Sequence, residues 1–334
     1  MIETSDIFFV WAESPLHAGS GSSVGAVDLP IQRERQTGHP ILQSTGVKGV
    51  FRDHCRQAWN VREDQDSKER KCLWAIFGPK GSNASDYGGA ASFSDARLLL
   101  FPVRSLRGVY AWITCPLALA RFARDLERVG QTVPDLPVWN GEVPGEGIAW
   151  VTPGSPISLE ENNQISALVL EEYTLVARHN AAVAQAAKWL SQNALPTSDA
   201  YKFWKNRLYS ETNHKSHLAI VSDDDFKEFV EHTTDVAQRI SVNPDTGTVK
   251  DTGLWTEESL PADSLLYTVL HVLPPRSNDR TPADLTENGL PSAAKAQAVF
   301  QKAVADKPLV QMGGNETVGR GLTRVRRLAA PPKE

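Results

Sequence analysis

Cysteine is scarce in this chain: Cys55, Cys72 and Cys115 are the three in 334 residues, and no Cys-x-x-Cys pair occurs. An odd, scattered set supports neither a disulfide framework nor a thiolate zinc site, and it fits a reducing compartment. A His-Glu-x-x-His run and a Gly-x-x-x-x-Gly-Lys-Ser/Thr loop are both missing, so the sequence carries no zincin or P-loop signature. No Ser-His-Asp or Cys-His order is visible. A positive balance is lacking too: 35 Lys and Arg stand against 40 Asp and Glu, a net charge of −5. That excludes a uniformly basic coat but not a local basic stripe, which is what phosphate responds to. Long apolar runs are absent. The longest, "VYAWITCPLALA", contains a proline and is too short to cross a bilayer. The opening "MIETSDIFFVWAESPLH" is acidic and lacks the basic region of a signal peptide. A cytoplasmic protein with no membrane partner is expected.

What is present points to a packed core: 41% hydrophobic and 22% charged residues. "DIFFVWAESPLHAGSG" predicts a strand running into an open loop. "TGVKGVFRDHCRQAWN" predicts a helix capped by Thr45, with Val47, Val50, Phe51 and Ala58 as its apolar stripe. "ASFSDARLLLFPV" and "VYAWITCP" read as two strands, and "PLALARFARDLERVG" as a helix with Pro116 near its start and Gly130 at its end. From 131 to 200 the periodicity weakens. "SDDDFKEFVEHTTDVAQRI" is a helix capped by Ser222; "QRISVNPDTGTVKDTGLW" is a hairpin around Pro-Asp-Thr-Gly. A buried strand in "DSLLYTVLHVL", a polar loop in "PPRSNDRTPADLTENGL" and a helix in "PSAAKAQAVFQKAVA" follow. "PLVQMGGNETVGRGLTRVRRL" is strand, glycine loop and strand. Strand–helix–strand units at both ends predict an α+β fold of the split βαβ, ferredoxin-like kind.

Two clusters carry potential chemistry. Lys48 and Arg52 are four apart and share a helix face near its N-terminus. That arrangement suits a phosphate, and equally an ordinary solvated basic face. Gly313, Gly314, Gly319 and Gly321 allow close backbone approach to a ligand, and Arg320, Arg324, Arg326 and Arg327 follow with no acid between 317 and 333. That composition favours phosphate. The nine tryptophans are mostly apart from these clusters and read as core. Asp223–Asp225 read as helix-start acids rather than metal ligands. His17 is either a base or a loop histidine. Asp28, in "VDLPIQRERQ", is a carboxylate among apolar neighbours: either Arg33 or Arg35 pairs with it, or those cations serve an anionic ligand.

"LHAGSGSSVGAVDLPIQRERQTGHPILQSTGVKGVFR", "ASFSDARLLLFPVRSLRGVYAWITCPLALARF", "RISVNPDTGTVKDTGLWTEESLP" and "QMGGNETVGRGLTRVRRL" together resemble, in order, the backbone subunits of type III-B CRISPR effectors, the Cmr complexes, in the repeat-associated mysterious protein (RAMP) superfamily. The chain departs from that pattern at Ser44-Thr45-Gly46, where Gly-Ser-Ser is expected. The resemblance implies a modified ferredoxin-like (RRM-like) βαββαβ core carrying long insertions, which form a thumb-like hairpin and a helical subdomain. It implies one RAMP domain over 1–334, with core segments at about 1–60, 90–130 and 262–330 and insertions at about 61–89 and 131–261. It implies a helical filament of copies along CRISPR guide RNA, beside other Cmr subunits, cutting complementary target RNA at regular intervals. Asp28 matches the family's acid, which would hold a divalent metal (Mg²⁺ or Mn²⁺), with His17 and Glu258 assisting. Arg33, Lys48, Arg52, Gly313, Gly314, Arg320 and Arg324 would contact RNA. A non-cutting structural subunit is the alternative. A metal-independent guide-processing nuclease would want a histidine near the glycine loop, and none lies between 272 and 334.

Overall fold

The structure, a computed structural model, describes residues 4–329 apart from 24, 63, 81–85, 132–141, 162–163 and 277–280. Part of the polar loop expected in "PPRSNDRTPADLTENGL", and Trp139, lie outside the described residues. The chain runs β1 (Thr4–Ala12), β2 (Ile41–Leu42), α1 (Ser44–Ala58), α2 (Lys68–Phe77), β3 (Ala91–Phe93), β4 (Ala96–Arg104), β5 (Tyr110–Thr114) and α3 (Pro116–Arg128). Next come β6 (Ile148–Val151), β7 (Ser158–Glu161), β8 (Gln164–Leu170), β9 (Tyr173–His179), α4 (Ala181–Asn193), α5 (Lys202–Leu208), β10 (Leu218–Ile220) and α6 (Asp223–His232). The hairpin β11 (Asp235–Val242) and β12 (Val249–Ser259) precedes β13 (Leu265–Val272), β14 (Thr286–Glu287), β15 (Leu290–Pro291), α7 (Ala293–Asp306), β16 (Leu309–Gln311) and β17 (Leu322–Arg327).

One large mixed sheet organises these elements, in the order β16-β17-β1-β13-β4-β5-β10-β6-β9-β8-β7. Strand β1 lies antiparallel between β17 and β13, with Phe9 opposite both Arg326 and Tyr267. Its sequence alternates two buried faces rather than one buried and one wet. Phe8 and Val10 pack with Val47 and Phe51 of α1 and Phe300 of α7. Ile7, Phe9 and Trp11 pack with Phe122 of α3 and Val183 and Leu190 of α4. Phe8 and Phe300 meet edge-to-face at 5.4 Å, and Phe122 and Tyr267 at 4.9 Å. Full burial of each such side chain contributes roughly 1.5–3 kcal/mol. Helices cover both faces at β1, so a macromolecular ligand is confined to strand ends, loops and edges.

The strongly patterned elements form where the sequence predicts them, including α3 with Pro116 in its first turn and α6, whose Ser222 hydroxyl accepts from the Asp225 amide. Two points differ. Thr45 does not cap α1: the cap position is Gln43, without a side-chain bond, and the Asp95 carboxylate accepts from the Ser44 amide at 2.7 Å. The weakly patterned stretch after residue 131 supplies β6 to β9, which extend the main sheet through β10. Frequent Pro, Gly and Asn interrupt these short strands and hide their period. Among the described residues no helix is long and apolar enough to cross a membrane.

Candidate active site

The hairpin β11–β12 forms a sheet of its own, paired from Asp235↔Ser259 to Val242↔Val249. One of its faces is poorly covered: Val236, Ile240 and Leu254 are all more than half exposed. Residues 28–31 run along that base. Leu29 makes a parallel bridge to Glu257, its amide donating to the Thr256 carbonyl at 3.0 Å and its carbonyl accepting from the Glu258 amide at 3.0 Å. Asp28 is thereby held at the foot of the hairpin, exposed to solvent.

Thr256 is Asp28's partner. Its amide and hydroxyl both donate to Asp28 Oδ2, at 2.7 and 2.8 Å, and the Asp28 amide donates to the same hydroxyl oxygen at 2.9 Å. Those bonds hold the carboxyl below the ordinary aspartate range. Oδ1 has no hydrogen-bond partner among the described residues. The pairing of Asp28 with Arg33 or Arg35, one of the two sequence readings, does not form. Arg33 turns away to Glu258 at 2.5 Å and to the carbonyls of Gly38 and Val230 at 2.8 and 2.9 Å. Glu34, flanked by cations in sequence, pairs with Arg121 of α3 at 2.6 Å instead.

Glu258 is buried and fully engaged. Oε2 accepts from the Ile31 amide at 3.0 Å; Oε1 accepts from Arg33 and from the Thr234 hydroxyl at 2.8 Å. It joins the Asp28 segment to the hairpin. His17 Nδ1 donates to the Glu258 carbonyl at 2.6 Å, which makes Nε2 the acceptor nitrogen. The His17 carbonyl in turn accepts from the Gly314 amide at 2.9 Å. At Gly313, with φ +74°, a Cβ would collide with that carbonyl, so glycine is required there. The structure therefore brings Asp28, Glu258, His17 and the glycine loop into one chain of contacts.

The two clusters singled out in sequence also meet. A cavity of about 260 Å³ is lined by Gly46, Val47 and Val50 of α1, by Gly313 and Gly314, and by Gly19, Gln32 and Gln43. The cations of the two clusters do not line that cavity and are tethered by the chain itself: Lys48 Nζ donates to the Ala91 carbonyl at 2.9 Å and Arg52 to the Gly78 carbonyl at 2.5 Å. Burial lowers the Lys48 pKa, with the Arg52 charge adding to it. Arg324 pairs with Glu13 at 2.8 Å and lies over the Tyr201 ring, Arg326 donates to the Leu195 carbonyl, and Arg327 reaches Asp6 at 3.5 Å. Burial raises the Asp235 pKa, and the charge of nearby Arg320 acts against that rise.

No group of three His, Cys, Asp or Glu residues fit to hold a metal occurs among the described residues. Asp223 accepts from the Leu117 amide at 2.8 Å and Asp225 from the Gly147 amide at 2.9 Å, so two of the three helix-start acids serve the backbone. The free Oδ1 of Asp28 fits a cation held mainly by water and a ligand's own oxygens. Thr256 escaped the sequence reading because a strand threonine has no chemical signature; its one signal was adjacency to Glu257 and Glu258.

Fold and sequence assign the class. A model of the RAMP superfamily matches residues 12–324, and the chain belongs to that superfamily. Within it, the chain is 35% identical over 313 residues, 93% of its own length and 92% of the relative's, to the CRISPR system Cmr endoribonuclease Cmr4 of Pyrococcus furiosus. It is similar to the crystal structure of oligomeric Cmr4 from the same organism, with TM-score 0.64, 27% identity and 97% of each chain covered. A subunit of the type III-B Cmr-beta complex bound to cognate target RNA shares the fold, at TM-score 0.64, 18% identity and 98% coverage of both chains.

Proposed function

We propose that this chain is a guide-RNA-lining backbone subunit of a type III-B CRISPR effector and cuts complementary target RNA at regular intervals. One observation carries the reading: an exposed carboxylate, clamped by one oxygen and free at the other, at the foot of a projecting hairpin. The likeness to the P. furiosus endoribonuclease and to its oligomeric crystal structure supports RNA cleavage and stacking of copies, beside other Cmr subunits.

In this reading β17-β1-β13-β4, antiparallel throughout, with α1 following β1 and α7 preceding β17, is the ferredoxin-like, RRM-like core. The hairpin is the thumb, and residues 61–89 and 131–261 are insertions on one domain. The guide runs along the cavity between the glycine loop and α1. Gly313 and Gly314 let the strand approach closely, and in this reading Lys48, Arg52, Arg320, Arg324 and Arg33 meet RNA phosphates beyond the cavity's own lining. The hairpin interrupts pairing, which a duplex needs before its 2′-oxygen can line up with the scissile bond.

At that bond the target's own 2′-hydroxyl attacks phosphorus in line. A 2′,3′-cyclic phosphate forms, and the strand leaves as a 5′-hydroxyl. Asp28 directs a fixed negative oxygen at the reacting phosphate's surroundings. A divalent ion (Mg²⁺ or Mn²⁺) on Oδ1, when bound, supplies neutralisation of the charge that develops on the phosphate. His17, its tautomer set by the Glu258 carbonyl, offers Nε2 as proton acceptor. Glu258 holds the segment in place rather than moving protons, because both its oxygens are occupied. A purely structural subunit is the second reading, favoured by the absence of a three-ligand metal cluster among the described residues.

Asp28→Asn separates the two readings. In the reconstituted complex with a matched target and Mg²⁺ or Mn²⁺, the variant should bind guide and target as before and yield no product. Cutting at the wild-type rate, or loss of target binding, would reject Asp28 as the acid.

A further inference from the structure

A lone carboxylate on a loop is a poor catalyst unless its orientation is fixed. Asp28 belongs to a loop whose neighbours from Ser20 to Ala26 are exposed wherever they are described. Its only side-chain anchor among the described residues is Thr256. The arrangement is a closed ring: the Asp28 amide donates to the Thr256 hydroxyl oxygen, and that hydroxyl donates back to Oδ2. The Thr256 amide adds a second donor to the same Oδ2. Both donors thus fall on one oxygen, which opposes rotation about the carboxyl's last bond and leaves Oδ1 without a hydrogen-bond partner among the described residues.

We infer that Thr256 is a positioning residue for the cleavage reaction: its hydroxyl orients Asp28 so that Oδ1 faces the scissile phosphate. This inference rests on the proposed role of Asp28. It also explains why the segment carrying the acid is bridged to the hairpin at all. The backbone bonds of Leu29 would hold the segment, and the Thr256 hydroxyl closes the ring that, together with the Thr256 amide, fixes the carboxylate. A misplacement of about 1 Å at a reacting group costs on the order of a hundredfold in rate.

Two replacements isolate the hydroxyl. Thr256→Val keeps the shape and the backbone N–H bond to Oδ2 but removes the ring. Thr256→Ser keeps the ring. In the assembled complex with guide and matched target, single-turnover cleavage should fall roughly ten- to a hundredfold in the valine variant. The serine variant should stay within about threefold of wild type, and target affinity should be unchanged in both. Rescue by serine is the readout that separates positioning from a merely structural role: serine restores the ring of hydrogen bonds but not the packing of the threonine methyl group. Wild-type rates in Thr256→Val while Asp28→Asn is inactive overturn the inference and spare the assignment of Asp28. Equal losses in the serine and valine variants, or lost target binding in the valine variant, also overturn it. Activity in Asp28→Asn instead removes the reading beneath it.

Discussion

Replacing Glu258 with glutamine tests the joint between the hairpin and the segment that carries Asp28. The carboxylate serves three donors: the Ile31 amide on one oxygen, Arg33 and the Thr234 hydroxyl on the other. Glutamine offers one acceptor and one NH₂ group, so either the Ile31 amide or the Arg33 guanidinium must face a donor. Stranding a buried amide costs about 1–3 kcal/mol, and removing the partner of a buried cation about 3–5 kcal/mol. The Arg33 side chain is 22% exposed and keeps its bonds to the Gly38 and Val230 carbonyls, which argues for the low end. We expect about 3 kcal/mol, a fall in melting temperature of roughly 6 °C at about 2 °C per kcal/mol for a large chain. Calorimetry on Glu258→Gln, Arg33→Met and the double variant closes a cycle. With the guanidinium gone, the glutamine oxygen is free to accept from Ile31 and no cation is stranded, so the double variant should be milder than the sum by about 2 kcal/mol. Additivity within about 0.5 kcal/mol would refute the joint as a coupled unit.

His39 supplies a pH test. It is buried against Phe226, and burial, helped by the Arg121 charge, pulls its pKa down to about 4. In the unfolded chain it titrates near 6.5, so on acidification the unfolded state takes up the proton first. The stability held by neutral His39 is complete above about pH 6.5 and is lost as pH falls towards about 4, some 2 kcal/mol of it between pH 7 and 5. In His39→Phe the urea midpoints at those two pH values should draw together; an unchanged gap would refute the assignment. Gly313→Ala places a methyl group against the His17 carbonyl in a left-handed conformation that costs roughly 1–2 kcal/mol. Protection of the Gly314 amide from hydrogen exchange should fall by about tenfold, and full protection would show that the loop has another way to relax.

Periodicity carried the sequence reading furthest where a residue's surroundings are local. The aromatic and β-branched run of β1, the Pro116 and Gly130 that bound α3, the Ser222 cap and the Pro-Asp-Thr-Gly turn are written within a few neighbours of each residue. Asp28 could be singled out by its apolar setting, but its partner could not, because Thr256 becomes a neighbour only through the bridge at Leu29. The same limit applies to cations. Lys48, Arg52 and Arg324 stand out as a basic set in sequence, whereas their carbonyl and carboxylate partners come from the β3 strand, α2's end and Glu13. The α1 cap was missed because Asp95 reaches it from another part of the chain. β6 to β9 were hidden because short strands set among turn residues show too few repeats to count.

The contacts that build the site also date it within the life of the chain. Asp28 and Thr256 lie 228 residues apart, Arg33 and Glu258 225, and His17 and Glu258 241. A nascent chain emerging from the ribosome, even one with β1, α1 and α3 already collapsed, still lacks the strand that hydrogen-bonds the Asp28 carboxylate. Loop closure over such a distance comes late in folding, and translation places it later still. Chains cut short before the hairpin would therefore carry Asp28 unaimed. If Asp28 is the cleaving acid, as proposed, RNA near the site of synthesis, the chain's own message included, would be protected by the order in which the residues are made.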